Sequence, residues 1–386
     1  MTEFGVNFFP VVDPAVKSAT AYYDETLRLV ELAEALGFVQ AQTVEHYFTP
    51  YGGYSPDPVT LLTAAAARTS RIRIGTGAVV PAFTHPVKLA GKLAMLDHLS
   101  HGRLDVGFGR AFLPAEFAAF GIPMDESRAR FTEGVEACLR LWDTEELVWE
   151  GRFHRFGPVT LLPRPYQRPH PPVYIASATS AESCAAAGRA GHHLQVVPSV
   201  TTAAQLAAML DAYRLAWDSA GYGPEARRIQ IKFTCYLSED RAEAFRLGER
   251  HERGYIEHMA DAVAPLATGR SADYPGYEKF LEKVEQYDFH RSLAGNKVLA
   301  GDPGDVRQQI RAVREQFGTD LDFSLQFNPG GISFGRAATA MELFAEEVMT
   351  AFADEPAAPR RPDPAPAAFP EGAPEPVAAA SAGDPA

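Results

Sequence analysis

The sequence predicts an α/β fold closed into a (β/α)8 TIM barrel, with a long insertion after the seventh strand and a disordered C-terminal tail. Three observations carry that expectation. Short runs rich in β-branched and aromatic residues alternate with amphipathic stretches eight times. The first run leads into Pro10-Val11-Val12-Asp13-Pro14, without the glycine loop that a doubly wound dinucleotide fold places there. The 386 residues, 46% of them hydrophobic, supply enough chain for one large barrel core.

The predicted strands lie at 4–9, 38–43, 72–80, 104–108, 173–176, 194–197, 229–237 and 321–327. Their near-continuous apolar character fits parallel strands buried on both faces. Helices are expected at 21–36, 58–69, 86–99, 128–142, 180–189, 203–220, 241–259 and 306–317, with 336–352 closing the body. In the first of these, Leu29, Leu32, Ala33 and Leu36 recur at helical spacing, and Gly37 offers the left-handed residue that ends a helix. Two excursions interrupt the alternation. Residues 146–172 carry Trp149, Phe153, Phe156 and several prolines, which predicts a short hairpin. Residues 265–300 carry glycines, charges and the aromatic residues Tyr274, Tyr277, Phe280, Tyr287 and Phe289, which predicts a lid over the active-site end. From 353 to 386 the chain is mostly alanine and proline, too poor in aliphatic side chains to offset its ordering entropy. The domain expected is therefore 1–352, and the tail 353–386.

Composition excludes several classes of function. With 36 Lys and Arg against 49 Asp and Glu, the net charge is −13, so neither a nucleic acid nor an anionic membrane is an expected partner. Cys138, Cys184 and Cys235 lie far apart, which argues against a disulfide framework and a structural zinc site. No apolar run approaches the roughly 20 residues of a membrane span, and Met1-Thr2-Glu3 does not begin a secretory signal. A cytoplasmic protein is expected. His85, His98, His101 and the His192-His193 pair have no metal-ligand spacing, and HExxH, GxSxG and P-loop signatures are missing.

Barrel enzymes work at the C-terminal ends of their strands. After strand two, Glu45 and His46 stand at that mouth. His46 either acts as an acid or base near neutral pH or satisfies a strand-end carbonyl. Strand three ends in Gly75-Thr76-Gly77-Ala78, small residues on which a flat ring can rest or at which the strand simply bulges. Strand four ends at Gly109-Arg110, and Arg128 opens the next helix. After strand five, Ser177-Ala178-Thr179-Ser180 leads into a helix N-terminus. Two guanidinium forks and a helix dipole converging on one mouth predict a phosphorylated ligand, although each alone reads as a surface arginine or an N-cap.

Taken in order, Glu45-His46-Tyr47-Phe48-Thr49, Ile74-Gly75-Thr76-Gly77-Ala78-Val79-Val80, Thr84-His85-Pro86-Val87, Leu96-Asp97, Ser100-His101-Gly102-Arg103 and Gly107-Phe108-Gly109-Arg110 resemble the bacterial luciferase-like monooxygenase family, and its luciferase alpha subunits in particular. The resemblance runs from residue 4 to about 352. It implies noncovalent binding of reduced FMN, reaction with O2 through a C4a-peroxyflavin, and transfer of one oxygen to an organic small-molecule substrate. It also implies a separate flavin reductase as partner and a homodimer. By position it makes His46 catalytic, gives the phosphate to Arg110, Arg128, Ser177, Thr179 and Ser180, and sets Gly77, Ala78 and Gly109 against the ring, with a cis Gly77–Ala78 bond. Two departures matter: Tyr47 stands where luciferase alpha subunits have a second histidine, and Gly109 where they have a reactive cysteine. Both argue against light emission and a long-chain aldehyde. The aromatic residues Phe8, Tyr47, Phe83 and Phe112, with Phe108 and Phe327, suit either a large aromatic or polycyclic substrate or ordinary barrel packing. A related alternative keeps the fold and exchanges FMN for an 8-hydroxy-5-deazaflavin that transfers hydride. A third is a non-catalytic partner subunit, against which His46 argues.

Overall fold

β-branched and aromatic residues at alternate positions build eight parallel strands: β1 (Phe4–Phe8), β2 (Gln40–Thr43), β3 (Arg73–Thr76), β4 (Leu104–Phe108), β5 (Val173–Ser177), β6 (His193–Val196), β7 (Ile229–Leu237) and β8 (Leu321–Gln326). Each pairs with the next, and β8 returns to β1 with Phe4 opposite Phe323, so the sheet closes into a barrel. The computed structural model describes residues 2–267, 274 and 286–353. All eight expected strands are present, and none has moved in order.

Helices follow the strands: α1 (Ala19–Leu36), α2 (Pro58–Arg68), α3 (Pro86–Leu99), a short α4 (Pro114–Ala119), α5 (Ser127–Asp143), α6 (Ala181–Arg189), α7 (Ala203–Ser219), α8 (Arg241–Val263), α9 (Phe289–Ala294), α10 (Pro303–Phe317) and α11 (Phe334–Leu343). Gly37 ends α1 at φ 87°, and its N–H reaches Ala33 and Glu34 carbonyls, as the sequence predicts. The expected hairpin pairs Leu147–Glu150 with Arg155–Val159. The closing helix differs from expectation: it loosens into a π turn at Phe344–Val348 and a tighter turn at Met349–Phe352.

Residues 289–294 and 299–301 are not loop. They form α9 and a three-residue strand, Leu299–Gly301, that extends β7 beside Cys235–Leu237. Nearly half of the lid expected over 265–300, residues 268–273 and 275–285, lies outside the described residues, as does the tail from 354 onward.

The alternation gives the barrel two unlike walls. Phe4, Val6, Ile74, Val106, Ile231 and Phe323 are buried in one apolar core with the helices. The opposite face is hydrogen-bonded. Gln40 donates to Asp105, which also pairs with Arg73 at 2.5 Å. Gln42 donates to Gln40 and Gln230, and Gln230 returns a bond to Gln40 at 2.6 Å. Far from the mouth, Arg103 is buried and donates to the carbonyls of Ala66, Thr69, Ile72 and Ser100 at 2.7–3.1 Å, locking α2 and α3 to the ends of β3 and β4.

Candidate functional site

The chain leaving β2 sends two neighbouring side chains in different directions. Glu45 is buried; its Oε2 accepts the Val80 N–H at 2.9 Å and its Oε1 accepts the Tyr47 hydroxyl at 2.6 Å, tying the ends of β2 and β3 together. Burial pushes its carboxyl up to about 7 in spite of both bonds. His46 turns into the mouth. Its Nδ1 lies 3.0 Å from Glu116 Oε1, and the same oxygen accepts the Tyr47 N–H at 2.9 Å. An oxygen that is accepting there leaves Nδ1 as the donor, so the Nε2 lone pair faces the cavity. Phe9, Tyr51 and Phe112 surround the imidazole at 5.4–5.8 Å. Gly52, at φ 86°, closes the fourth side; a Cβ there would stand 2.5 Å from His46 Cβ. The ring is held in one orientation.

At the ends of β3 and β4 the backbone is bare. The Gly77–Ala78 peptide is cis. A Cβ on Gly77 would lie 2.6 Å from Lys232 Nζ, and one on Gly109 would lie 2.9 Å from Ala78 Cβ. Two cavities meet beside this bare stretch. The first, of about 210 Å³, is lined by Phe9, His46, Gly77, Lys232, Glu252 and Tyr255 among others. The second, of about 370 Å³, lies between α5 and α6 and is lined by Arg110, Arg128, Ser177, Ser180 and Arg189. Ala176 and Ser177 line both. The guanidinium of Arg110 rests 4.4 Å from the centre of the Tyr274 ring, whose hydroxyl bonds Ala111 O and Ser127 Oγ. Ser180 caps α6 by accepting the Ser183 N–H at 3.1 Å.

Most of the predicted positions therefore converge: His46, Gly77 and Ser177 on the first cavity, Arg110, Arg128, Ser177 and Ser180 on the second. Ala78, Gly109 and Thr179 line neither cavity: Ala78 faces Gly109, and the Thr179 carbonyl accepts from Gln205. The aromatic set divides. Phe112 meets His46 edge-on. Tyr47 and Phe83 form a cluster with Phe120, on which Phe83 stacks at 4.5 Å, beside the cavities rather than in them. Phe8, Phe108 and Phe327 are buried in the core shared with the helices, and Phe9 reaches the cavity in place of Phe8, because the strand's alternation puts Asn7 and Phe9 inward.

Several site residues escape sequence reasoning. Glu116 comes from a six-residue helix seventy positions after His46. Glu252, on α8, accepts from Thr234 at 2.7 Å, Tyr236 at 2.9 Å and Tyr287 at 3.2 Å, and its burial holds the carboxyl above the usual carboxylate range. Tyr51 and Tyr255 join hydroxyls at 3.0 Å. Lys232 sits mid-strand in β7, where an amine among alternating apolar residues is itself an unused signal. Among the described residues no cluster of three metal-ligating side chains is present, and no helix is long and apolar enough to cross a membrane.

Comparison with known proteins bears on this geometry. The profile of the luciferase-like monooxygenase family matches residues 2–320. An uncharacterized Sinorhizobium fredii protein, y4wF, is 36% identical over 174 residues, 45% of this chain and 50% of that protein, so the match spans half of that relative. The oxygenase component of the flavin-dependent trigonelline monooxygenase of Acinetobacter baylyi is 29% identical over 346 residues, 86% of this chain and 90% of that one. Among solved structures, the monooxygenase RslO1 from Streptomyces bottropensis superposes with a TM-score of 0.83 at 51% identity, covering 91% of this chain and all of that one.

Proposed function

We propose that this chain, which belongs to the luciferase-like monooxygenase family, is the FMN-dependent oxygenase component of a two-component system that acts on an organic, ring-bearing substrate. The observation that carries the reading is the junction of two cavities at Ala176 and Ser177, one holding His46 and the other Arg110, Arg128 and Ser180. The residues fit a flavin. Two guanidinium groups and the free N–H groups of the α6 N-terminus suit its phosphate, and the bare backbone of Gly77, which lines the first cavity, suits close approach of a flat ring. Bound reduced FMN supplies two electrons to dioxygen, one oxygen atom going to the substrate and the other to water.

The chain's own part is to hold, orient and keep dry. Glu116 fixes the His46 tautomer, so that Nε2 accepts a proton from an acidic group of the substrate or, once protonated, returns one. Phe9, Tyr51 and Phe112 shield the imidazole from bulk water. The "oxygenase component" relative supports a separate reductase as partner. Exposed Met95 and Leu99 on α3 offer an apolar face for a homodimer, and three buried free thiols agree with a cytoplasmic setting.

Anaerobic titration with reduced FMN, followed by aerated buffer and a record of flavin absorbance, tests the reading. Binding and then reoxidation through a transient absorbing species are expected. A chain that ignores FMN and binds a reduced deazaflavin without reacting with oxygen would be a hydride-transfer enzyme instead.

A further inference from the structure

Lys232 is an unusual occupant of a barrel wall. Its strand mates Ile231 and Phe233 pack outward, while the lysine lines the first cavity beside Thr234. The amine donates to Gly77 O at 2.8 Å and to Gln195 Oε1 at 3.3 Å. That commits two of its three protons. Among the described residues no carboxylate stands within ion-pairing distance of it, and the cavity's Glu252 is already engaged by three hydroxyls. A cation drawn out of water without a counter-charge is costly, and such groups concentrate where a ligand supplies the missing charge.

We infer that Lys232 is a specificity-determining residue whose remaining N–H receives the spread negative charge of a flat weak acid bound in the first cavity. One free donor suits one oxygen of a delocalised anion. A phosphate or carboxylate is better matched by a fork of two donors, which the second cavity has and this position lacks. Flatness follows from the lining: side-chain-free Gly77 on one side, Phe9, Tyr51 and Tyr255 on another. Desolvation with no compensating charge also draws the amine down to about 7, a position that a bound anion would reverse. Two molecules have this chemistry. The ring of reduced flavin is one, and there the inference rests on the flavin reading above; a phenol or enol substrate is the other, and there it does not.

The test uses the full-length protein at pH 7 and two neutral variants. Lys232→Met removes charge and donor; Lys232→Gln keeps a donor for the Gly77 carbonyl and removes only the charge. Each is titrated anaerobically with oxidised FMN, with reduced FMN and with 4-nitrophenol, whose absorbance distinguishes phenol from phenolate. Oxidised FMN should bind all three proteins alike, which also shows that the variants fold. A loss of about 10- to 100-fold in both variants is expected for the anion that Lys232 receives. Loss confined to reduced FMN assigns the cofactor ring, and loss confined to 4-nitrophenolate assigns the substrate. Unchanged affinity for both probes overturns the inference, as does full recovery in Lys232→Gln, which would reduce the lysine to a prop for Gly77. Should the parent bind neither form of FMN, the flavin reading fails while the phenolate titration still reports on Lys232.

Discussion

On β8, Phe323 rings against Phe4 and Phe233 in the outer wall, while its neighbour Ser324 accepts from Asn7 and Gln326 accepts the Phe9 N–H on the inner one. All six residues of the strand are buried, yet the two faces are held by different forces. The outer wall rests on apolar area and dispersion, which are indifferent to direction. The inner wall rests on amides, Gln40, Gln42, Gln195 and Gln230, where barrels commonly pack branched aliphatic residues. Directional bonds fix atoms more sharply than oily contact does. The wall that must aim groups at a ligand is accordingly the one built from hydrogen bonds.

That contrast can be broken by substitutions on either side. His46→Ala should have the largest effect, slowing oxygenation about 10²- to 10⁴-fold with flavin affinity and melting temperature close to the parent's, or diverting turnover to hydrogen peroxide. Product formation and peroxide release, measured together, check it; parental turnover would make His46 a purely structural residue. Phe323→Ala should do the reverse. Truncating a fully buried ring removes about 3–5 kcal/mol of stability by denaturant titration, and below the melting range the flavin dissociation constant should not change. If flavin binding collapses with stability, the two walls are not separable.

Glu45 sits on the rim where the walls join, and its effect is read through pH. Below about 4.5 the carboxyl is protonated whether the chain is folded or not. Between 4.5 and about 7 the folded chain keeps the proton that the unfolded chain releases, so stability falls as pH rises through this window and is level above it. Glu45→Gln should remove that fall, at most about 3 kcal/mol, seen as the difference between parent and variant unfolding curves from pH 4.5 to 8. The smallest effect is expected from Arg110→Ala, which should weaken binding of reduced FMN about 10- to 100-fold without altering the melt. An unchanged dissociation constant would remove Arg110 from the residues proposed to hold the phosphate.

Much of this arrangement was legible in the sequence, for local reasons. Runs such as Ile229 to Leu237 announce a strand by composition, Gly37 announces a helix end, and the rule that barrel sites lie beyond strand ends led to His46, Arg110 and Ser180. What stayed hidden depends on phase and on distant packing. Whether Phe8 or Phe9 faces inward turns on a single step of alternation, which apolar content does not reveal. Glu116 meets His46 only because a short helix folds back over the mouth. Motifs near the other end read differently too: Arg103, in the run Ser100-His101-Gly102-Arg103, clamps helices to strands and touches neither cavity.

The cavities share a boundary two residues wide, at Ala176 and Ser177. A larger side chain at Ala176 would narrow both compartments in one stroke, so under the proposed function this position offers no route to a new substrate that leaves the flavin undisturbed. Variation on the far shore, at Tyr255 and beyond the ring contacts of His46, reaches only the first cavity. Divergence in what related enzymes oxidise should therefore accumulate on that shore, with the boundary kept small.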